Sequence, residues 1–202
     1  MKNFLIVLTG FVLISGGIFA QTNDYVQSII SYQKELNKEF RDPEESPLPK
    51  KDRKKFKELP FFPIDEKYKV VARFERAENA TPFQMKTTTD RLPTYELFGL
   101  ARFTFEEKEY TLHLYQSHQL REMEKYKNHL FLPFTDMTNS ETSYGGGRFL
   151  DLEIPEGGEI IIDFNKAYNP YCAYNHIYSC PIPPSENDLP FEVKAGVMYK
   201  GH

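Results

Sequence analysis

The feature that most constrains this chain is the strand-like alternation of apolar and polar residues after residue 67. It is clearest in residues 109–117, where Tyr110, Leu112 and Leu114 occupy alternate positions. Turn-forming stretches interrupt the pattern at 106–108 and 156–158. Short strands separated by turns predict a mainly β protein, an antiparallel β-barrel or sandwich of about eight strands. The candidate strands are 68–76, 83–89, 94–105, 109–117, 129–134, 148–153, 159–164 and 190–194.

A different pattern precedes the strands. Residues 24–40 carry apolar side chains at helical spacing, which predicts an amphipathic helix packed on a larger body. Five prolines between residues 41 and 63 exclude a long regular element there. The basic stretch Lys50–Lys57 is expected to form a short helix with a solvated face. We therefore predict one domain over residues 21–202, with a helical segment at 24–58 and a β body at 67–200.

The first twenty residues have the pattern of a cleavable signal peptide. Lys2 is followed by an apolar run from Phe4 to Phe19, and Ala20 stands before a polar stretch. A membrane anchor is the alternative, but the run is short and interrupted by glycines. Gln21 is not a cysteine, so lipid attachment is not expected there. We predict cleavage after Ala20, a periplasmic or secreted location, and no integral membrane span after cleavage.

Composition and known motifs limit the possible functions. The chain has 29 acidic residues against 25 lysines and arginines, which argues against non-specific nucleic-acid binding. Its 40% of apolar residues is enough for a substantial core. The sequence contains no His-Glu-x-x-His, Gly-x-Ser-x-Gly or dinucleotide-binding glycine motif. No cofactor is therefore expected, and whether the protein is an enzyme stays open.

Three segments near the C-terminus combine polar and aromatic residues in an unusual way: 133–151, 163–174 and 180–187. The stretches GGRFLDL, DFNKAYNPYCAY and SCPIPPSEN resemble hallmark segments of a bacterial family, domain of unknown function 1684. SPLP at 46–49 and FKELPFFP at 56–63 also fit that family. One departure is Val197, where the family usually has an acid. The resemblance covers about residues 24–200 and implies a fold of its own and no established activity.

The glycine run before Arg148 suggests two interpretations. Consecutive glycines allow backbone amides to point into one space and form an anion-binding concavity. Arg148 could then grip a carboxylate or phosphate with two hydrogen bonds. The structural alternative is a strand entry where only glycine fits, with Arg148 paired to an internal acid. The run is not a phosphate-binding P-loop, because Gly-Lys-Ser/Thr is missing.

The polar segment 165–170 either folds on itself or lines a pocket for a polar ligand. We predict an exported protein that binds a small polar or anionic ligand. One alternative is a hydrolase in which Asp136 and Glu186 are the acid/base pair and Arg148 stabilises an anion. Another is a structural envelope protein in which the helix 24–40 or the basic stretch Lys50–Lys57 contacts a partner. The ligand-binding candidates are Tyr144, Gly146, Gly147, Arg148, Asn165, Tyr168, Asn169 and Asn187.

The two cysteines, Cys172 and Cys180, are eight positions apart. In an exported protein such a pair predicts a disulfide. Buried free thiols are one alternative. A metal site is another, because Cys172, His176 and Cys180 follow one another at intervals of four. His113 and His118 are an odd number apart, so one strand would place them on opposite faces.

Overall fold

The computed structural model describes residues 17–200, and their side chains from Asn23 onward. Helix α1 spans Gly17–Arg41, and the short helix α2 spans Lys50–Arg53 within the basic stretch. Residues 1–16, which contain most of the predicted signal peptide, lie outside the described part. Neither described helix is long and apolar enough to cross a membrane.

Eight strands form one sheet, and all but one of their pairings are antiparallel. The strand order is β6-β5-β4-β3-β1-β7, with β2 paired to β3 and β8 paired in parallel to β5. The sheet curls into a half-barrel, and its end strands β6 and β7 do not pair with each other in residues 17–200. The strands are β1 Lys69–Arg76, β2 Phe83–Gln84, β3 Thr94–Phe105, β4 Lys108–Ser117, β5 His129–Asp136, β6 Arg148–Glu153, β7 Glu159–Asp163 and β8 Asp188–Leu189.

The predicted strands agree with this sheet in six cases, but two predictions need correction. Only Phe83–Gln84 of the segment 83–89 is a strand. The segment 190–194 is not a strand, and the two-residue β8 precedes it. Its backbone is bound by buried side chains instead of by a neighbouring strand. The Val193 amide donates to Asp136, and the Val193 carbonyl accepts from Arg148.

Alternation along β5 shows how the sheet separates two apolar clusters. Leu130, Leu132 and Phe134 are fully buried in the main core, to which β1, β3, β4, β6 and β7 also contribute. Phe131 points to the opposite face and packs in a second cluster with Phe149 of β6. Burial of each such side chain stabilises the fold by about 1.5–3 kcal/mol. The second face carries the candidate site.

Helix α1 packs against the C-terminal third of the chain, as its amphipathic pattern predicts. Ile29 and Phe40 are buried, and the Phe40 ring meets the edge of Tyr174 at a centroid distance of 4.9 Å. The Tyr25 hydroxyl donates to Asp163 at 3.1 Å. These contacts fix the helix beside the second face of the sheet.

Candidate functional site

Arg148 and Asp136 meet, but they form an internal ion pair. The Arg148 Nη2 atom lies 2.7 Å from an Asp136 carboxylate oxygen and also donates to the Val193 carbonyl at 2.7 Å. Both side chains are completely buried. Burial lowers the pKa of Arg148, and the carboxylate of Asp136 opposes this shift. A guanidinium enclosed in this way has no surface for a dissolved anion, so its geometry matches the structural alternative.

Gly147 is a strand entry that only glycine fits. Its φ is +88°, and a Cβ atom there would lie 2.6 Å from the Phe134 carbonyl oxygen and 2.7 Å from Pro183. Its amide donates to the Tyr144 carbonyl at 3.1 Å, so this amide is used inside the turn. A Cβ on Gly146 would meet the Tyr144 ring at 2.6 Å. The glycine run therefore shapes the chain around Arg148.

Two of the predicted asparagines also serve the interior. Asn187 is fully buried; its side chain accepts the His113 amide hydrogen and donates to the carbonyls of His113 and Pro133. Asn165 donates to the Tyr25 hydroxyl and to the Asp65 carbonyl. In such bonds a side-chain amide pairs with the backbone groups that a neighbouring strand would otherwise bind.

Glu186 is exposed to solvent, unlike the buried ion pair of Arg148 and Asp136. It is an exposed residue in the short turn Ser185–Asn187, and its side chain bonds only weakly to Ser185 at 3.4 Å. An exposed carboxylate and a fully buried Arg148 do not share a solvent-accessible space. The three residues of the predicted hydrolase site therefore do not form one accessible site.

Tyr168 and Asn169, by contrast, line a cleft of about 950 Å³ on the second face of the sheet. One wall is the C-terminal half of α1, the floor is β5 and β6, and the other wall is the segment 168–181. The cleft is rich in aromatic rings, and its size is that of a small-molecule pocket. The rings include Tyr32, Tyr95, Phe131, Phe149, Tyr168, Tyr171 and Tyr178.

Asp151 is the acidic group on the floor of this cleft. Its two carboxylate oxygens accept hydrogen bonds from His129 Nε2 at 2.7 Å and from the Tyr168 hydroxyl at 2.8 Å. A bridge of two backbone hydrogen bonds between Phe149 and Tyr168 sets Tyr168 beside β6. The Asp151 side chain is 53% exposed, so it is oriented by its neighbours and still open to a ligand.

His129 orients the Asp151 carboxylate. Its Nε2 atom lies 2.7 Å from an Asp151 carboxylate oxygen, whereas its buried Nδ1 atom has no hydrogen-bond partner in the described residues. An imidazole with its hydrogen on Nε2 donates to the carboxylate in this arrangement.

Other acidic side chains surround the opening. Lys38 is the single lysine or arginine among the lining residues, and its ammonium binds Glu35 at 3.2 Å. Glu39 accepts a hydrogen bond from the Tyr171 hydroxyl. The cleft therefore has an excess of negative charge. The lining carboxylates are Glu35, Glu39, Asp42, Glu45 and Asp151.

Two of the phenols in the cleft, those of Tyr32 and Tyr171, remain protonated. Burial raises the pKa of Tyr32 above its ordinary value, and Asp151 and Glu39 raise it further. Burial also raises the pKa of Tyr171, and the hydrogen bond to Glu39 adds to this shift. The rings thus present neutral faces and hydroxyl donors.

Comparison with known proteins agrees with the sequence motifs. The profile of a family described as "Protein of unknown function (DUF1684)" matches residues 54–198, which is most of the chain. The chain belongs to this family. The solution NMR structure of an uncharacterized protein of Haloarcula marismortui is similar to it, with 32% sequence identity and a TM-score of 0.68. The match covers 89% of this chain and 97% of that one. No curated protein matches.

The segments that carry the resemblance to the DUF1684 family converge on the cleft. The first contributes Phe149 and Asp151, the second Tyr168 and Tyr171, and the third Cys180. These segments are separate along the chain, and the fold brings them to one surface. The cleft is therefore the candidate functional site.

The cysteines need a correction, because both are buried free thiols in the structure. The Cys172 amide lies 3.2 Å from the Cys180 sulfur, but the sulfurs are not at disulfide distance. Cys172 sits in the turn Tyr171–Ala173, whereas Cys180 is bound to Thr88 by two hydrogen bonds. The two residues are thus held by different elements.

The thiols nevertheless influence each other. The hydrogen bond with the Cys180 thiol lowers the pKa of Cys172, burial opposes this shift, and the Tyr144 and Thr88 hydroxyls add to it. The same hydrogen bond raises the pKa of Cys180. His176 is exposed, and no group of three or more metal-ligand side chains in residues 17–200 is arranged to hold a metal ion.

Sequence reasoning missed the polar centre of the cleft. His129 and Asp151 are polar residues in otherwise apolar strands, and this break in the pattern was the available signal. Glu39 on the helix gave no signal, because a charged residue on an amphipathic helix normally faces water. Tyr168 and Asn169 are the predicted ligand-binding residues that lie in the cleft.

Proposed function

We propose that this protein binds a small organic cation with an apolar body in the tyrosine-lined cleft, with Asp151 as the counter-ion. The observation that carries the proposal is a half-exposed carboxylate, held by His129 and Tyr168, on a floor of aromatic rings. Aromatic faces attract cations, and more strongly when water is excluded. A small polar or anionic ligand was expected from the sequence. The charge of the cleft favours a positive ligand instead.

The charge balance supports a cation over an anion. Arg148, the residue expected to attract an anion, is enclosed by Asp136 and backbone carbonyls. The cleft itself is lined by five carboxylates, and its one lysine is paired with Glu35. An anion would meet repulsion there, whereas an ammonium group would meet both a carboxylate and π faces.

Calorimetric titration with three probes of one shape tests this function. Benzylammonium should bind, and benzyl alcohol and benzoate should bind more weakly by about tenfold or more. A hydrogen-bonded charge contributes about 1.5–3 kcal/mol. Asp151→Asn, which keeps the side-chain shape, should weaken benzylammonium binding by about 10–100-fold.

The matched control is Glu156→Gln, an exposed acid in the turn after β6 and outside the cleft lining. It removes the same charge and should leave benzylammonium affinity within about twofold. Stronger binding of benzoate than of benzylammonium would refute the proposal. Equal affinities of the Asp151→Asn and unaltered proteins would refute it as well.

We also propose that the chain is exported. The apolar run before Ala20 supports this. The exported protein should begin at Gln21, which N-terminal mass spectrometry of the exported fraction reads directly. An unprocessed N-terminus would contradict the proposal.

A further inference from the structure

Two carboxylates reach the same aromatic surface from different walls of the cleft. Asp151 belongs to β6, and Glu39 belongs to α1. Each accepts a hydrogen bond from a tyrosine of one loop, Asp151 from Tyr168 and Glu39 from Tyr171. The two tyrosines are three residues apart, so the loop holds both carboxylates in a fixed relation.

The two carboxylates also act on the same phenols. Beyond the effect of burial, Tyr32 and Tyr171 both feel the charges of Asp151 and Glu39. Glu39 and Asp151 therefore belong to one electrostatic environment. A ligand with a single ammonium group would neutralise one of them and leave the other without a cation.

A buried acceptor in the same cleft is also left over. Asn169 is 2% exposed, and its side-chain nitrogen donates to the Tyr174 hydroxyl and to the Met198 carbonyl. Its buried oxygen has no donor in the described residues. A buried acceptor usually finds a partner, and a ligand with several N–H groups supplies one.

We propose that the cleft binds linear α,ω-diamines, with one ammonium at Asp151, the other at Glu39, and the methylene chain across the tyrosine rings. This rests on the proposed binding of organic cations and names their class. The volume of about 950 Å³ has room for an extended chain. Apolar methylene groups against ring faces account for the many tyrosines between the acids.

Two other carboxylates of the cleft lining, Asp42 and Glu35, add negative charge but are bound by neighbouring groups of the protein. The Asp42 carboxylate accepts the Glu44 amide hydrogen and so closes its own turn. Glu35 binds Lys38. Among the described acids of α1, Glu39 is the one that accepts a hydrogen bond from a tyrosine of the cleft. Glu39 is therefore the residue to test.

The experiment compares diamines with monoamines of equal chain length by calorimetry at pH 7 and low salt. The probes are 1,4-diaminobutane, 1,6-diaminohexane and 1,8-diaminooctane, each against its n-alkylamine. The diamine whose length matches the distance between the acids should bind about tenfold or more tighter than its monoamine. Glu39→Gln should abolish this advantage, so that each diamine binds this variant no more tightly than its monoamine does.

The control is Glu44→Gln, a nearby acid outside the cleft lining, which should keep the full diamine advantage. The chain-length series on the unaltered protein tests the proposal even if Glu39→Gln does not fold. Monoamine binding without any diamine advantage overturns this inference and leaves the proposed function standing. No binding of either class overturns both.

Discussion

Arg148→Met should lower the free energy of unfolding by about 3–5 kcal/mol. Methionine fills much of the same space between Phe62 and Phe134, so the loss comes chiefly from Asp136. That carboxylate would stay buried without its cation, which is costly in a low-dielectric interior. Urea unfolding followed by tyrosine fluorescence measures the change, since the chain has no tryptophan.

Two further variants separate this cause from a general effect of losing an arginine. Arg102→Met removes a partly exposed arginine paired with Glu75, and a surface pair contributes about 0–1 kcal/mol. Adding Asp136→Asn to Arg148→Met should recover part of the lost stability, because the unpaired charge disappears. An Arg148→Met loss no larger than the Arg102→Met loss would contradict the burial argument.

Gly147→Ala should cost about 2–5 kcal/mol. The positive φ of +88° strains any L side chain, which accounts for about 1–3 kcal/mol. The added methyl group would also press on the Phe134 carbonyl oxygen at 2.6 Å, and overpacking costs a similar amount. Both neighbours belong to well-packed parts of the chain, so neither moves cheaply.

Gly157→Ala is the matched control for that substitution. A Cβ atom there meets nothing within 4 Å, and its φ is not positive. The free energy of unfolding of this variant should change by no more than about 0.5–1 kcal/mol. Alanine can even stabilise the protein slightly, because it lowers the conformational entropy of the unfolded chain. Equal losses at Gly147 and Gly157 would show that the turn tolerates a side chain at either place.

Much of the sheet could be predicted from alternation alone. The C-terminal half of β3 alternates between buried and exposed residues, because one of its faces packs in the core. The last four residues of β4 are all buried, since both faces of the sheet are covered there. The segment 190–194 has the same apolar composition, but Arg148 and Asp136 satisfy part of its backbone. Here side chains from distant segments take the place of a neighbouring strand. The local sequence pattern does not reveal such long-range contacts.

The site was predicted less well, for a related reason. Asp136 and Arg148 were expected to act together, and they do form an ion pair. Both side chains are buried, so neither is accessible to a ligand. Burial depends on segments about 50 residues away, which no spacing rule includes. Asp151 and Glu39 lie on a strand and a helix far apart in the chain, so only the folded arrangement places them in one cleft.

The docking of α1 imposes an order on biogenesis. Some of its contacts are with nearby residues, such as that between Phe40 and Phe56. Others are with late parts of the chain, since Tyr25 meets Asp163, Tyr32 meets Lys166 and Phe40 also meets Tyr174. The apolar stripe of this helix is therefore covered completely only after the segment around Tyr174 has been made. Until then one side of the Phe40 ring is open to the surroundings, where a holding chaperone can bind it.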